Sequence, residues 1–545
     1  MKKHKIVMLL IAISLFSCIP YLADGVIAGN DTSYHLNRIL GLASELQYKN
    51  IFGLIHSNLK QGFGYANGIF YPQLFLYIPA VSVALGMDII VSYKIFIVII
   101  TVATSFITYY SVNRFTKSTY KSLLITFLYV LSTYRLGDIY VRSALGEILA
   151  FTFLPLVLLG LYEIIYGDSK KWWIICIGIF GIINSHILSA LFVLILILMF
   201  CLFNCKRLLT DKNRMKNLII AGVVSILLSV SFILPYVELA KSDTFNFEIY
   251  DNAHFLYDGA SDLQDLLQEH LSDVGAEFTI SLPLIIFPML LLFCKDFAYK
   301  KDRFLIQCYI VGLIFLILST KLIPWKRLSM FAIIQFPFRF SIIYSLLFAY
   351  VAGEAIFRYF KDIKTIKYVI ILMIFFVGNQ LSTVNVNIND SSYEAMINNY
   401  PLGLEEYSPI NLDVNTNFIY DIEDELDNEK NKFKREDIPT IDYEKEGPKI
   451  EFYYNRDKEI NLHIPLTYYK GYVAYIIDEN GEKHSLQVKR EEKNANIIIT
   501  SNEIVKGNVV VKYEMTKIQK ISYMISFISL VGLIIYIIKE EKYEK

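Results

Sequence analysis

The chain has 545 residues, 54% of them hydrophobic and 19% charged, with a mean hydropathy of +0.43. That leaves too little polar side chain to cover the apolar remainder in water, which excludes an ordinary soluble globular domain. Basic and acidic residues balance at 52 each, so no overall cationic footprint for nucleic acid is present. The six cysteines lie in or beside apolar runs without a CxxC pair, which supports neither a disulfide framework nor a zinc site.

In chain order, apolar stretches of bilayer length predict transmembrane helices near 6–23, 89–112, 121–136, 147–166, 172–187, 188–204, 217–237, 278–294, 304–320, 340–359, 367–383 and 520–538. Basic clusters test this polytopic α-helical reading. They occur at Lys2/Lys3/Lys5, Arg114/Lys117/Lys121, Lys170/Lys171, Lys206–Lys216, Lys295–Arg303, Lys361–Lys367 and Lys539/Lys542. A model of twelve spans puts all of them on one side, as the positive-inside rule requires, with both termini in the cytoplasm.

Residues 24–88, 137–146, 238–277, 321–339 and 384–517, with the Ser185–His186 corner, then face outward. The apolar stretch "YPQLFLYIPAVSVALG", Tyr71–Gly86, falls within the first of these, and counting it as a span would reverse every later loop. It reads instead as an interfacial or re-entrant helix. The domain reading is a membrane unit over 1–383, a linker region over 384–448, and an extracytoplasmic antiparallel β domain over 449–517. A final span and short tail occupy 518–545. The β reading rests on the alternating runs "KIEFYY", "EINLHIPL", "GYVAYII", "HSLQVK", "NANIIIT" and "NVVVKYE", with "DENGEK" as an Asn-Gly hairpin turn.

Several ionisable residues fall at the outward membrane boundary, where burial is costly unless they are paired or face a wet cavity. In "AGNDTSYHLNRIL", Asp31, His35 and Arg38 share one helical stripe, which reads either as an interfacial helix with a capping Asp or as a reactive face. "GDIYVRSALGEILA" supplies Asp138, Arg142 and Glu147, "NSHILS" supplies His186, and "IPWKRLSMFAIIQFPFRFS" supplies Lys326, Arg327, Gln335 and Arg339. For each a structural role stands beside the functional one: mutual pairing for Arg142 and Glu147, a helix end for His186, snorkelling for Lys326 and Arg327. As a set, carboxylates supply a base and cations hold a phosphate at the bilayer surface. No GxxxxGK[ST] loop or GxGxxG fingerprint is present.

"NDTSYHLNRILGLASEL", "GFGYANGIFYPQLFLYIPA", "VRSALGEILAFTFLPLVLLGL", "SHILSAL", "IQFPFRF", "EYSPINL" and "IPLTYYKGYVAYI" occur in this order over nearly the whole chain. Together they resemble the YfhO-like bacterial membrane proteins, also labelled 6-pyruvoyl-tetrahydropterin synthase-related, although no His-rich zinc site of that soluble enzyme is found here. The resemblance implies a GT-C-type glycosyltransferase with a polyprenyl-phosphate-linked sugar donor and a catalytic acid in the first outward loop. By motif that acid is Asp31, while Arg339, Arg142 and Glu147 fall among the cavity-lining positions. The class pattern has an acidic pair where this chain has a single Asp, with Asp24 seven residues earlier. A divalent cation, Mg²⁺ or Mn²⁺, is therefore allowed but not required.

The expectation is a multi-pass bacterial membrane glycosyltransferase. Asp31 is its general base, and His35, Arg38, Asp138, Arg142, Glu147, His186, Lys326, Arg327, Gln335 and Arg339 line the substrate site. It moves a sugar onto a cell-envelope glycan or glycolipid. Two alternatives stay open, a flippase for a lipid-linked saccharide and a non-catalytic scaffold for envelope assembly. The flippase reading calls for midplane polar groups and internal repeats, and no convincing repeat is visible.

Overall fold

In a bilayer every backbone N–H and C=O has to be satisfied inside the chain, so long apolar runs fold as helices. A computed structural model describes residues 1–27, 29–249, 253–262, 281–294, 302–384, 405–422 and 439–544. Its principal helices up to the middle of the chain are α1 (Lys3–Ser17), α2 (Thr32–Gln47), α3 (Tyr77–Ala84), α4 (Ile89–Thr116), α5 (Thr119–Val130), α6 (Leu145–Ile165) and α7 (Trp173–Ile183). They continue with α8 (Ile187–Phe203), α9 (Lys212–Ala240), α10 (Leu282–Met289), α11 (Arg303–Leu318), α12 (Ser341–Tyr359), α13 (Ile363–Ser382) and α14 (Lys517–Glu544).

Among the described residues six helices are long and apolar enough to cross a bilayer: α4, α6, α9, α12 with its preceding turn, α13 and α14. Four shorter apolar helices cover Leu74–Ala84, Ile187–Phe203, Leu282–Phe293 and Arg303–Leu318. The expected span at 121–136 is broken. Helix α5 ends at Val130, where Ser132 is extended and its hydroxyl bonds back to the Tyr129 carbonyl, and a five-residue helix, Thr133–Gly137, follows. Helix α3 has eight residues, so it rises only ~12 Å, well short of a hydrocarbon core. Most of the charged stretch 420–447 and much of loop 238–277 lie outside the described residues.

The bundle is tied together by buried hydroxyls as well as by apolar packing. Ser14 and Ser105 are 2.7 Å apart between α1 and α4, and Thr104 and Thr152 are 2.7 Å apart between α4 and α6. Such contacts let helices approach closely where water exclusion gives no further drive. Helix α6 runs through the core, and its two ends carry different chemistry. Glu163 near its C-terminus faces Arg114, at the end of α4, at 3.8 Å. At the same end Lys121 pairs with Glu354 at 2.8 Å, Arg358 pairs with Asp302 at 2.7 Å, and Arg214 donates to the Ile164 carbonyl at 2.6 Å. Many of the basic clusters thus gather at one end, and Glu147 sits at the other, ~24 Å away along the helix axis.

All six alternating runs are strands. In a nine-stranded antiparallel arrangement they form β4 (Lys449–Tyr454), β5 (Ile460–Thr467), β6 (Tyr472–Asp478), β7 (Lys483–Arg490), β8 (Asn496–Ser501) and β9 (Gly507–Tyr513). Three short strands precede them, β1 (Ile419–Asp421), β2 (Thr440–Ile441) and β3 (Glu444–Glu446), within the tract expected to be linker. Strand order is β2-β1-β5-β8-β7-β6-β9-β4-β3. β6 and β7 form the Asn-Gly hairpin, with Gly481 at φ +84°. The inner face, including Ile450, Phe452, Ile464 and Val511, shares a core with Leu54, Ile55, Ile69 and Phe70 of the loop after α2. The sheet therefore docks on the end of the bundle that holds Glu147.

Candidate active site

The turn Gly29–Asp31 is stitched to the wide turn Asp138–Arg142 by backbone hydrogen bonds. The Asn30 amide donates to the Val141 carbonyl at 3.1 Å, and the Asp31 amide donates to that of Arg142 at 2.8 Å. Thr32 Oγ1 accepts from the Gly29 amide at 2.9 Å and stands 2.8 Å from the Ser143 hydroxyl. A Cβ on Gly29 would come 2.8 Å from the Ser143 amide nitrogen and 2.9 Å from the Arg142 carbonyl carbon, so only glycine allows this approach. Asp31 occupies the position before α2 but makes no side-chain cap. Its carboxylate is half-buried and has no side-chain partner among the described residues.

Beside it lies a buried chain of ion pairs. Arg142 donates from Nη1 to Asp138 Oδ1 at 2.5 Å and from Nη2 to Glu147 Oε1 at 2.9 Å. Tyr134 donates to Glu147 Oε2 at 2.7 Å, and Arg339 Nε stands 2.9 Å from Glu147 Oε1. Arg339 Nη1 donates to Gln335 Oε1 at 2.7 Å, with Gln335 held at φ +58°. The Arg142 and Arg339 guanidinium carbons each lie 4.8 Å from a ring centre, those of Phe338 and Phe336 respectively. Glu147 is thus the hub that brings "VRSALGE" and "QFPFR" together across the bundle. Arg142 spends both amino groups on carboxylates, whereas Arg339 Nη2 has no protein partner among the described residues.

His186 Nδ1 accepts from the Ser189 amide at 3.3 Å and lies 2.9 Å from the Ser189 hydroxyl, capping α8. The hydrogen-bond pattern assigns its proton to Nε2, which leaves that N–H without a protein partner among the described residues. His35 accepts from the Leu145 amide at 3.3 Å, at the start of α6. Burial first, then the charge of Arg38, hold its pKa well below the ordinary histidine value, so it is a neutral acceptor that locks α2 to α6. Arg38 is 2% exposed, donates to the Pro72 carbonyl at 2.6 Å, and lies 4.0 Å from the Tyr71 ring centre. It holds the loop that carries Tyr71.

The sequence-predicted residues fall into three groups. Asp31, Asp138, Arg142, Glu147, Gln335, Arg339 and His186 come together at one end of the bundle. His35 and Arg38 lie directly behind, as supports. Lys326 and Arg327 are exposed on a separate turn, with Lys326 4.0 Å from the Tyr257 ring centre, outside the cluster. Tyr134, which donates to Glu147 Oε2, and Tyr71, whose ring centre lies 6.3 Å from that of His186, join this cluster although the sequence reading did not single them out. Tyr71 sits in "GFGYANGIFYPQLFLYIPA", where a phenol inside an otherwise apolar segment was the available signal.

Burial raises the Asp31 carboxyl above its ordinary range, and Arg142 and then Arg339 hold it back down. A half-buried carboxylate with an elevated pKa, next to guanidinium charge, suits proton abstraction better than a fully solvated one. Among the described residues, three metal-ligating groups come within reach of one another only at Asp478, Glu482 and His484 on the β6–β7 hairpin. Among the described residues the groups around Asp31 do not bring three metal-ligating atoms together.

Residues 65–485 match the family model described as bacterial membrane protein YfhO. Among curated proteins none matches the chain. Among solved structures the arabinofuranosyltransferase AftD from Mycobacteria aligns with 14% identity and a TM-score of 0.45, covering 70% of this chain and 27% of AftD. The chain therefore spans about a quarter of that protein's length.

Proposed function

The chain belongs to the YfhO family of bacterial membrane proteins, and on that basis, with the arrangement around Asp31, we propose that it is a multi-pass glycosyltransferase of the GT-C type. It takes a sugar from a polyprenyl-phosphate carrier and passes it to a cell-envelope acceptor such as a teichoic acid, a polysaccharide or a glycolipid. The site end and the β domain face outward, and both chain termini lie in the cytoplasm. One observation carries the reading. Among the described residues, a carboxylate with no hydrogen-bonding or ion-pair partner, Asp31, lies near an arginine that keeps one amino group free, Arg339, at the end of a membrane bundle.

The acceptor hydroxyl donates its hydrogen bond to Asp31. As the acceptor oxygen forms its bond to the anomeric carbon, its proton passes to the Asp31 carboxylate. The bond from that carbon to the phosphate oxygen breaks, and the electron pair leaves with the polyprenyl phosphate. Attack opposite the leaving group inverts the anomeric centre. Arg339 offers Nη2 to the departing phosphate, and a donor so placed is worth about 3–4 kcal/mol of leaving-group stabilisation. Glu147 holds the Arg339 head in position while Arg142 and Tyr134 hold Glu147.

Asp31→Asn is the test. It is nearly isosteric, and Asp31 makes no cap hydrogen bond, so the fold has nothing to lose. Expression and thermal stability stay at wild-type level, while membranes supplied with lipid-linked donor form no new glycosidic linkage. Wild-type transfer by this variant would remove Asp31 as the base. Loss of lipid translocation with linkage chemistry unaffected would make the chain a flippase instead.

A further inference from the structure

The first amides of an α-helix find no acceptor within the helix, so each needs one from elsewhere. At the start of α6 the Leu145 amide donates to the Ser143 carbonyl at 2.8 Å, and the Ile148 amide donates to the Ala144 carbonyl at 3.0 Å. Between them the amides of Gly146 and Glu147 have no hydrogen-bond partner among the described residues. The helix is 21 residues long, so its dipole adds partial positive charge at this turn. The Glu147 carboxylate does not offset it, because Arg142, Arg339 and Tyr134 already engage both of its oxygens.

Two side chains close over the same turn. A Cβ on Gly146 would overlap the Tyr71 hydroxyl and come 3.2 Å from His186 Cδ2, the ring carbon bonded to Nε2. It would also come 3.0 Å from the Ser185 carbonyl oxygen, which bounds the turn on the α8 side. His186 is 7% exposed, and with Nδ1 engaged by the Ser189 amide the edge it presents to Gly146 carries the Nε2–H. The Tyr71 ring is held from behind, with the Arg38 guanidinium carbon 4.0 Å from its centre and the His35 ring edge-on at 6.1 Å. Neither the Tyr71 hydroxyl nor the His186 Nε2–H has a hydrogen-bond partner among the described residues. Donors withdrawn from water without an acceptor are costly unless a ligand supplies one.

We infer that the first turn of α6 is a seat for a phosphate group, held by the amides of Gly146 and Glu147, the Tyr71 hydroxyl and the His186 Nε2–H. All four are neutral donors gathered at a helix N-terminus, the arrangement that suits an oxyanion. Glycine at position 146 is what lets the phenol come down onto the turn. Arg339, 2.9 Å from the carboxylate of the same Glu147, stands next to the seat and supplies full positive charge. Two sources share the chemistry this seat accepts: the lipid carrier of the sugar donor, and a phosphate-bearing acceptor polymer such as a teichoic acid. The part the seat plays in sugar transfer rests on the transferase reading above, whereas phosphate binding stands without it.

The test uses the full chain in nanodiscs, as wild type, Y71F, H186N and Y71F/H186N, titrated with undecaprenyl phosphate and with soluble poly(glycerol phosphate). Y71F removes only the hydroxyl and keeps a ring against Arg38. H186N keeps an acceptor for the Ser189 amide, so α8 stays capped, but extends no donor toward Gly146. Each single change is expected to weaken binding of at least one probe about three- to ten-fold, and the pair about ten- to hundred-fold, the size of one and two lost hydrogen bonds. Loss with either probe supports the seat, undecaprenyl phosphate assigning it to the donor and the polymer to the acceptor. Wild-type binding of both probes by Y71F/H186N overturns it, as does a wild type that binds neither. Thermal unfolding is followed in parallel, and a fall in binding that tracks a fall in stability from variant to variant gives these side chains to the fold and overturns the seat as well. The sugar content of the envelope polymer, in cells with and without the chain, reads the transferase function separately. No change there, with phosphate binding still lost in Y71F/H186N, removes the transferase reading and leaves the seat.

Discussion

Glu147→Gln tests the hub on which the site geometry depends. The substitution removes one negative charge from a side chain that is 2% exposed and pairs with Arg142 and Arg339, each at 2.9 Å. Arg142 keeps Asp138, so the cation left without compensation is Arg339, whose side chain is 12% exposed. Breaking a buried pair by removing one partner costs about 3–5 kcal/mol, and Arg339's partial exposure puts the expectation at the lower end, about 3 kcal/mol. At 1.4 kcal/mol per factor of ten, this shifts the folding equilibrium roughly a hundred-fold. The measurement is reversible unfolding in mixed micelles followed by tryptophan fluorescence. Trp325, 3% exposed and 6.3 Å from the Phe340 ring, reports close to the affected turn. Removing Arg339 as well, in E147Q/R339Q, leaves no stranded cation and should recover about 1 kcal/mol or more relative to additivity. Wild-type stability in E147Q, or strict additivity of the two changes, would refute the idea that this pair positions the site.

Two further outcomes follow from the same geometry. Asp31 has to be ionised to accept a proton, so transfer falls as pH drops through its folded-state pKa. That acid limb should lie above the ordinary aspartate value of about 3.9, and R339Q, which removes a charge that lowers the Asp31 pKa, should move it higher still; a limb that does not move in R339Q would separate Arg339 from Asp31. Gly29→Ala forces a Cβ to within 2.8 Å of the Ser143 amide nitrogen. It should cost about 1–3 kcal/mol of stability by overpacking and reduce transfer, both read on the purified protein, while G222A, with open space around Gly222, serves as control.

The strands and long helices were legible because their signals are local. Alternation in "GYVAYII" and "NVVVKYE" needs only the pleat to become meaningful, and α4 and α6 need only bilayer length. Residues 121–136 failed for a reason composition hides, since Ser132 turns the chain extended inside an apolar run. At the site, the residue types were readable but the partnerships were not. Asp138, Arg142 and Glu147 lie within ten residues of each other, so their pairing is nearly a local matter. That Arg339 joins Glu147 rather than standing free, and that Arg38 donates to the Pro72 carbonyl, depends on how segments far apart in sequence pack.

The pairing pattern also assigns unequal tasks to the two arginines. Arg142 has both terminal amino groups engaged by carboxylates, so recruiting it to a phosphate would break a buried pair at a cost of several kcal/mol. Arg339 gives one edge to Glu147 and one amino group to Gln335, and still has Nη2 to offer. A phosphate can therefore bind Arg339 without dismantling the chain behind it, and Arg142 is best understood as the rigid backing that holds Glu147 in place. Arg339→Lys sharpens the point. A lysine preserves the charge but cannot hold Glu147, Gln335 and a phosphate in three fixed directions, so it should retain carrier attraction at low salt while losing most transfer. Full transfer in the lysine variant would mean that charge alone suffices and that the fixed fork of Arg339 has no part in the reaction.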